Sequence, residues 1–147
     1  MNKGVYALLF RNRPCSLRVG SLGKVRFRGG WHIYVGSARG PGGFARVRRH
    51  RLLAVSRDRE PRWHVDHLLM SPFFRLRHAL CGATGEDREC ALAAVLGPGG
   101  IPSFGSSDCG CPSHLFFRRT RPLDEVRDAM LSLGLSPVEH NPQEGGR

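Results

Sequence analysis

At 147 residues and 40% apolar content, the chain has the size of one domain and enough apolar side chains for a real core. No stretch approaches the roughly 20 apolar residues of a membrane span, and the start, Met1-Asn2-Lys3, runs into a strand-like segment without a signal-peptide cleavage pattern. The net charge of +11 points instead to a polyanionic partner, and the cytoplasm is the expected compartment.

The charge is unevenly placed. Residues 1–57 hold thirteen Lys and Arg and no acid, whereas 58–147 hold ten basic and twelve acidic residues. A basic face built by the first part fits nucleic acid, with DNA ahead of RNA. Lys3 and Lys24 are the two lysines, so arginine dominates. That suits phosphate recognition by a planar donor fork and equally suits an arginine-rich solvated surface.

Gly4 to Phe10 reads as a first strand. Cys15 to Val19 and Lys24 to Phe27 read as a basic hairpin turning at Gly20–Gly23, and Trp31 to Ser37 as a further strand. After the turn Gly40-Pro41-Gly42-Gly43, Phe44 to Val55 is a helix whose expected apolar side is Phe44, Val47, Leu52 and Val55. Arg62 to Met70 fits strand or helix. Arg75 to Leu80 has the look of an edge strand. Thr84 to Leu96 reads as a helix with a capping-like start. Pro98 to Cys111 is a loop and His114 to Arg119 a strand. Asp124 to Leu133 is a helix with Val126, Met130 and Leu133 on one side. One domain over 1–135 is expected, with a tail over 136–147 too poor in apolar residues to hold itself down. This order suggests a mixed α+β fold, one central sheet flanked by helices.

Chemistry concentrates at a few positions. Gly4-Val5-Tyr6 and Tyr34-Val35-Gly36 each set a tyrosine beside a glycine in a strand. The second leads into a helix where Arg46, Arg49 and His50 share a face. That face can aim positive charge at a scissile phosphate; simple backbone contact is the plainer reading, above all for Arg48. Glu89 aligns at helical spacing with Leu92, Ala93 and Leu96. A carboxylate on a buried face is costly unless it is ion-paired, with Arg75, Arg77 or Arg88, or binds a hard cation. Asp66 and Asp108 are the other acids to consider.

Gly4-Val5-Tyr6, Tyr34-Val35-Gly36-Ser37-Ala38, Arg46, Arg49-His50 and Glu89 together resemble the GIY-YIG nuclease superfamily. Trp63-His64-Val65-Asp66, Glu89-Cys90 and the run from Phe104 to Leu115 resemble a small prokaryotic branch that also occurs fused to endonuclease III-type repair enzymes. The resemblance spans roughly residues 4–119. It implies a small, mainly antiparallel three-stranded sheet flanked by helices and a metal-dependent endonuclease using one Mg²⁺ (or Mn²⁺), with association with DNA-repair enzymes. Tyr6 would help take a proton from the attacking water, beside Tyr34 and His50. Arg46 would stabilise the phosphorane and Glu89 would hold the metal. Nearby positive charge would have to favour the Tyr6 phenolate. The 27 residues between Tyr6 and Tyr34 exceed the usual gap because a basic hairpin is inserted. It is either a substrate arm or a cover for the sheet edge. Arg26, Arg28, Arg39, Arg48 and Arg49 are the expected nucleic-acid contacts.

Five cysteines make an odd set, which favours reduced thiols or metal ligands over a disulfide frame. Cys109, Cys111 and His114 form Cys-x-Cys-x-x-His, with Cys90 as a candidate fourth ligand. The narrow spacing ranks thiols and imidazole packed near the site ahead of structural zinc, and zinc ahead of a Cys–His nucleophile pair. His64 and Asp66 would face the same way on a strand. The rivals to a nuclease are a non-catalytic nucleic-acid-binding module and a zinc-stabilised interaction module.

Overall fold

The computed structural model describes residues 1–106 and 109–140. Its centre is β1 (Gly4–Asn12), a nearly unbroken apolar run because both of its faces are covered. Side chains alternate across it: Val5, Ala7 and Leu9 join one apolar cluster, and Tyr6, Leu8 and Phe10 the other. On either side lie β4 (Gly30–Ser37) and β5 (Phe74–Ala83), both antiparallel to β1.

Two short strands complete the sheet, β6 (Leu115–Arg118) beside β4 and β7 (Pro137–Glu139) beside β5. The order is β6-β4-β1-β5-β7, so the sheet has five strands rather than the expected three. The fifth strand takes up the start of the expected tail, at 137–139. Val138 is exposed, so β7 has little apolar anchorage. It is held instead by its ladder to Leu80–Gly82 and by Glu139, which accepts hydrogen bonds from His78 at 2.7 Å and Arg127 at 3.0 Å. The rest of the tail, 141–147, lies outside the described residues. Since β5 has β7 over 80–82 as its outer neighbour, Arg75 to Leu80 is an open edge only over its first part.

One face of the sheet is covered by α3 (Glu89–Leu96) and α4 (Leu123–Ser132), which contribute Leu92, Ala93, Val126 and Met130. The other carries α1 (Ala45–Ser56), α2 (His64–Leu69) and the loop bearing Phe104. Three local readings change. The inward side of α1 is Val47, His50, Arg51 and Leu53, while Leu52 and Val55 are exposed; the helix is turned to bring an imidazole and a guanidinium inside. The span 84–88 precedes α3 instead of opening it, because the Thr84 hydroxyl accepts the Glu86 N–H in a local turn. The undecided segment is helix α2.

The inserted hairpin, β2 (Cys15–Arg18) and β3 (Lys24–Phe27), forms its own two-stranded sheet. Buried Val19 and Phe27 tie it to the core, and the Phe27 ring stands edge-on to His32, Phe74 and Phe104. No helix of the described residues is long and apolar enough to cross a membrane.

Candidate functional site

Tyr6 on β1 and Tyr34 on β4 lie on the same sheet face, with ring centroids 6.4 Å apart. Tyr6 pairs across the ladder with Gly36, and a Cβ at Gly36 would run into the Tyr6 ring and hydroxyl. That contact is why the second motif ends in glycine: the phenol lies flat over it. Arg46 enters from the first turn of α1. Its Nη1 donates to the Ser37 carbonyl at 3.1 Å and its guanidinium stacks 5.0 Å from the Trp63 ring centroid. Glu89, the first residue of α3, arrives at the end of the sheet where β6 stops opposite Tyr34. Tyr6, Tyr34, Arg46 and Glu89 thus line one cleft of about 240 Å³, together with Ser37, Arg62, Trp63, His64, Gly105, Cys109 and His114.

His50 lies behind the cleft, buried, with its Nε2 2.7 Å from the Tyr6 hydroxyl. Burial lowers its pKa to about 4, the pull of Asp66 opposing and Arg46 and Arg49 adding to the shift. Neutral His50 is therefore the acceptor and Tyr6 O–H the donor. Tyr6 itself is pushed well above its ordinary value, by burial first and the Tyr34 and Glu89 charges next, with Arg46 opposing. This corrects the expectation of a phenolate favoured by the basic half: desolvation outweighs the Arg46 guanidinium. Tyr34 is raised for the same first reason.

His64 lines the cleft and its Nδ1 accepts the Gly105 N–H at 2.8 Å. Asp66 does not join it. As the third residue of a helix rather than a strand partner of His64, it is buried, and its Oδ2 accepts the N–H groups of Arg62 at 2.8 Å and Trp63 at 3.0 Å. Asp108 lies outside the described residues. Arg26, Arg28, Arg39, Arg48 and Arg49 are all exposed, and none lines the cleft. Arg28 stacks 4.7 Å from the Phe117 ring centroid, and Arg39 faces Asp87 at 3.7 Å in an exposed pair that contributes little. Glu89 Oε2 lies 3.6 Å from Nδ1 of buried His114.

The cysteines beside the cleft converge. One donor atom each from Cys90, Cys109, Cys111 and His114 lies within 4.8 Å of all the others, a set that could hold a metal ion. Cys109 Sγ is 3.4 Å and Cys90 Sγ 3.9 Å from His114 Nε2. The Cys90 and Cys111 sulfurs are in bonding contact, their Cα atoms 6.2 Å apart.

A family model described as "Domain of unknown function DUF123" matches residues 5–135. The chain belongs to this family. No curated protein and no solved structure matches it. The DUF123 span takes in every residue lining the cleft and all four Cys/His donors, and it stops short of β7.

Four lining residues of the DUF123 domain were given no role of their own in the sequence reading: Ser37, Arg62, Trp63 and Gly105. Ser37 is there because its carbonyl fixes Arg46. Arg62 and Trp63 are placed by the Asp66 carboxylate that holds the entry to α2. A signal did exist, since an Arg-Trp pair before a helix start is an unusual choice for solvent, and Trp63 is 44% exposed.

Proposed function

We propose that the cleft hydrolyses phosphodiester bonds in nucleic acid, as an endonuclease of the GIY-YIG type. The observation that carries this reading is the meeting of two strand tyrosines, a fixed guanidinium and a carboxylate in one cleft, from four separate elements. Arg46, braced by the Ser37 carbonyl and the Trp63 ring, offers a preorganised positive charge where a phosphorane develops negative charge. Arg62 adds a second cation on the same wall.

The attacking water transfers its proton to the Tyr6 oxygen as Tyr6 passes its own to Nε2 of neutral His50; the water oxygen bonds phosphorus, the ester P–O bond breaks, and the departing alkoxide takes a proton from solvent. Tyr6 works here as a relay, so no phenolate is required, and the Asp66 charge favours the imidazolium that forms. Glu89 is the one carboxylate among the described residues lining the cleft. A single carboxylate beside room for phosphate and water fits a hard divalent ion, so Glu89 would hold Mg²⁺ or Mn²⁺. Held there by Glu89, such an ion would supply Lewis-acid stabilisation of the negative charge on the phosphate and leaving oxygens. Exposed Trp63 at the rim offers a face on which an unpaired base can stack, and the exposed arginines of α1 and the hairpin offer contacts to the strand beyond.

The deciding experiment incubates purified protein with single- and double-stranded DNA and RNA, with Mg²⁺ or Mn²⁺ and with chelator. Metal-dependent cleavage that Glu89→Gln loses, with nucleic-acid binding kept, supports the reading. Binding without cleavage under all conditions makes the chain a nucleic-acid-binding module instead.

A further inference from the structure

The loop from Gly97 to Ser113 crosses one flank of the molecule with no helix and no strand of its own among the described residues. Unstructured connections of this length are uncommon unless they serve a function or are tied down. At its far end it delivers Cys109, Cys111 and His114 to one point, and the first turn of α3 delivers Cys90 to the same point.

We propose that Cys90, Cys109, Cys111 and His114 form a closed tetrahedral Zn²⁺ site that fastens this loop to α3 and orients Glu89 through His114. A Cys₃His set of thiolates and one imidazole is the donor set of structural zinc, and soft sulfur donors argue against Mg²⁺ or Ca²⁺. The sulfur–nitrogen distances agree, and the Cys90 and Cys111 sulfurs, in bonding contact, would part to take up the ion. With Zn–S near 2.3 Å and Zn–N near 2.0–2.1 Å, tetrahedral angles put S and N about 3.6 Å apart and two sulfurs about 3.8 Å apart. The observed Sγ–Nε2 separations of 3.4 and 3.9 Å bracket the first value, and no pair of donors exceeds 4.8 Å. A Cys90–Cys111 disulfide accounts for only two of the four groups. It leaves Cys109 Sγ and His114 Nε2 to a thiol–imidazole contact of their own at 3.4 Å, whereas one ion uses all four.

The imidazole supplies the second argument. Its Nε2 faces the sulfurs, and its buried Nδ1 has no hydrogen bond among the described residues but looks toward Glu89 Oε2 at 3.6 Å. Metal on Nε2 leaves the proton on Nδ1, directed at the carboxylate, the pairing by which zinc-bound histidines are commonly oriented. One oxygen of Glu89 then steadies the zinc ligand while the carboxylate still faces the cleft. Sequence spacing alone hid the site because Cys90 comes from another element, so the narrow Cys-x-Cys gap does not have to span the coordination sphere by itself.

The test uses the full chain purified under a non-chelating reductant with no added metal. Elemental analysis should find about one zinc per chain. After chelation, Co²⁺ should restore one equivalent of metal with the intense visible bands of tetrahedral geometry and thiolate-to-cobalt charge transfer in the near ultraviolet. Cys109→Ser and Cys90→Ser should each lower metal affinity steeply, and Glu89→Gln should lower it about 10–100-fold, as for other partners of metal-bound histidine. Thiol counting in denaturant, on protein prepared without reductant, separates the competing state: the zinc site requires Cys90, Cys109 and Cys111 reduced, which with Cys15 and Cys81 makes five thiols. Three thiols, those of Cys15, Cys81 and Cys109, with no zinc and no Co²⁺ uptake by the reduced protein, would overturn the proposal in favour of a disulfide. Unchanged affinity in Glu89→Gln would overturn the link to the cleft. None of these readings involves nucleic acid, so the zinc site and the nuclease reading fail separately.

Discussion

On one face of β1, Val5, Ala7 and Leu9 meet Leu92, Ala93, Val126 and Met130, an apolar contact between sheet and helices. On the other, Tyr6, Leu8 and Phe10 share their layer with buried His32, His50, Arg51 and Asp66. Burying polar groups is unfavourable unless each finds a partner, so the second face gives up stability relative to the first. In return it holds, by Tyr6 to His50 and Asp66 to the α2 entry, the geometry of the cleft. One strand thus keeps its apolar packing and the cleft on opposite sides, and substitutions on the two sides should differ in kind.

The widest separation is expected from Tyr6→Phe. It removes one hydroxyl and should cut cleavage by about 10²–10⁴-fold, while leaving His50 Nε2 unpartnered lowers stability by only about 1–3 kcal/mol. Equal cleavage by Tyr6→Phe and wild type, measured on folded protein, would remove the relay. Leu9→Ala on the opposite face should do the reverse. It should lose about 2–5 kcal/mol in urea unfolding with cleavage per folded molecule within about twofold, and a large loss of specific activity would show that the faces are coupled.

Acid sharpens the contrast. Burial holds both His32 and His50 down at about 4, so they are neutral in the folded chain while their unfolded counterparts protonate near 6.5. The unfolded state therefore binds more protons as pH falls, and stability drops from about pH 6.5 toward 4, by about 3 kcal/mol for each histidine. Urea midpoints between pH 7.5 and 4.5 should show this slope, and a flat profile would mean that the imidazoles are charged or solvated. Cleavage itself should be nearly level from about pH 6 to 9 when a neutral histidine is the acceptor. A tenfold rise per pH unit over that range would bring back the phenolate. The smallest effect belongs to the surface: Asp87→Ala, which frees Arg39 from an exposed pair, should change stability by less than about 1 kcal/mol.

Much of this arrangement was readable before any fold was known. The apolar runs of β1 and β4 mark the sheet; Tyr6 and Tyr34 are ordinary strand residues taken singly, and with Arg46 and Glu89 they stand out only as a set. What was hidden follows from contacts far apart in sequence. The inward side of α1 defied its pattern because His50 and Arg51 displace Leu52 and Val55 from the interior, the kind of local conflict that accompanies functional sites. Arg62 and Trp63 depend on a helix start made by Asp66, three residues on. β7 could not be foreseen from hydropathy, being held by Glu139 through hydrogen bonds to residues 61 and 12 positions away.

The shortness of β7 has a bearing on solubility. It pairs only with Leu80–Gly82, and among the described residues no strand runs beside the outer edge of β5 from Phe74 to His78. An open edge of this kind is a template for edge-to-edge aggregation between copies, which charged side chains oppose. Arg75 and Arg77, both exposed, occupy alternate positions along that stretch, so a second copy approaching the edge would bring like charges together. At these two positions arginine therefore guards the open stretch of the sheet against being completed by a second copy.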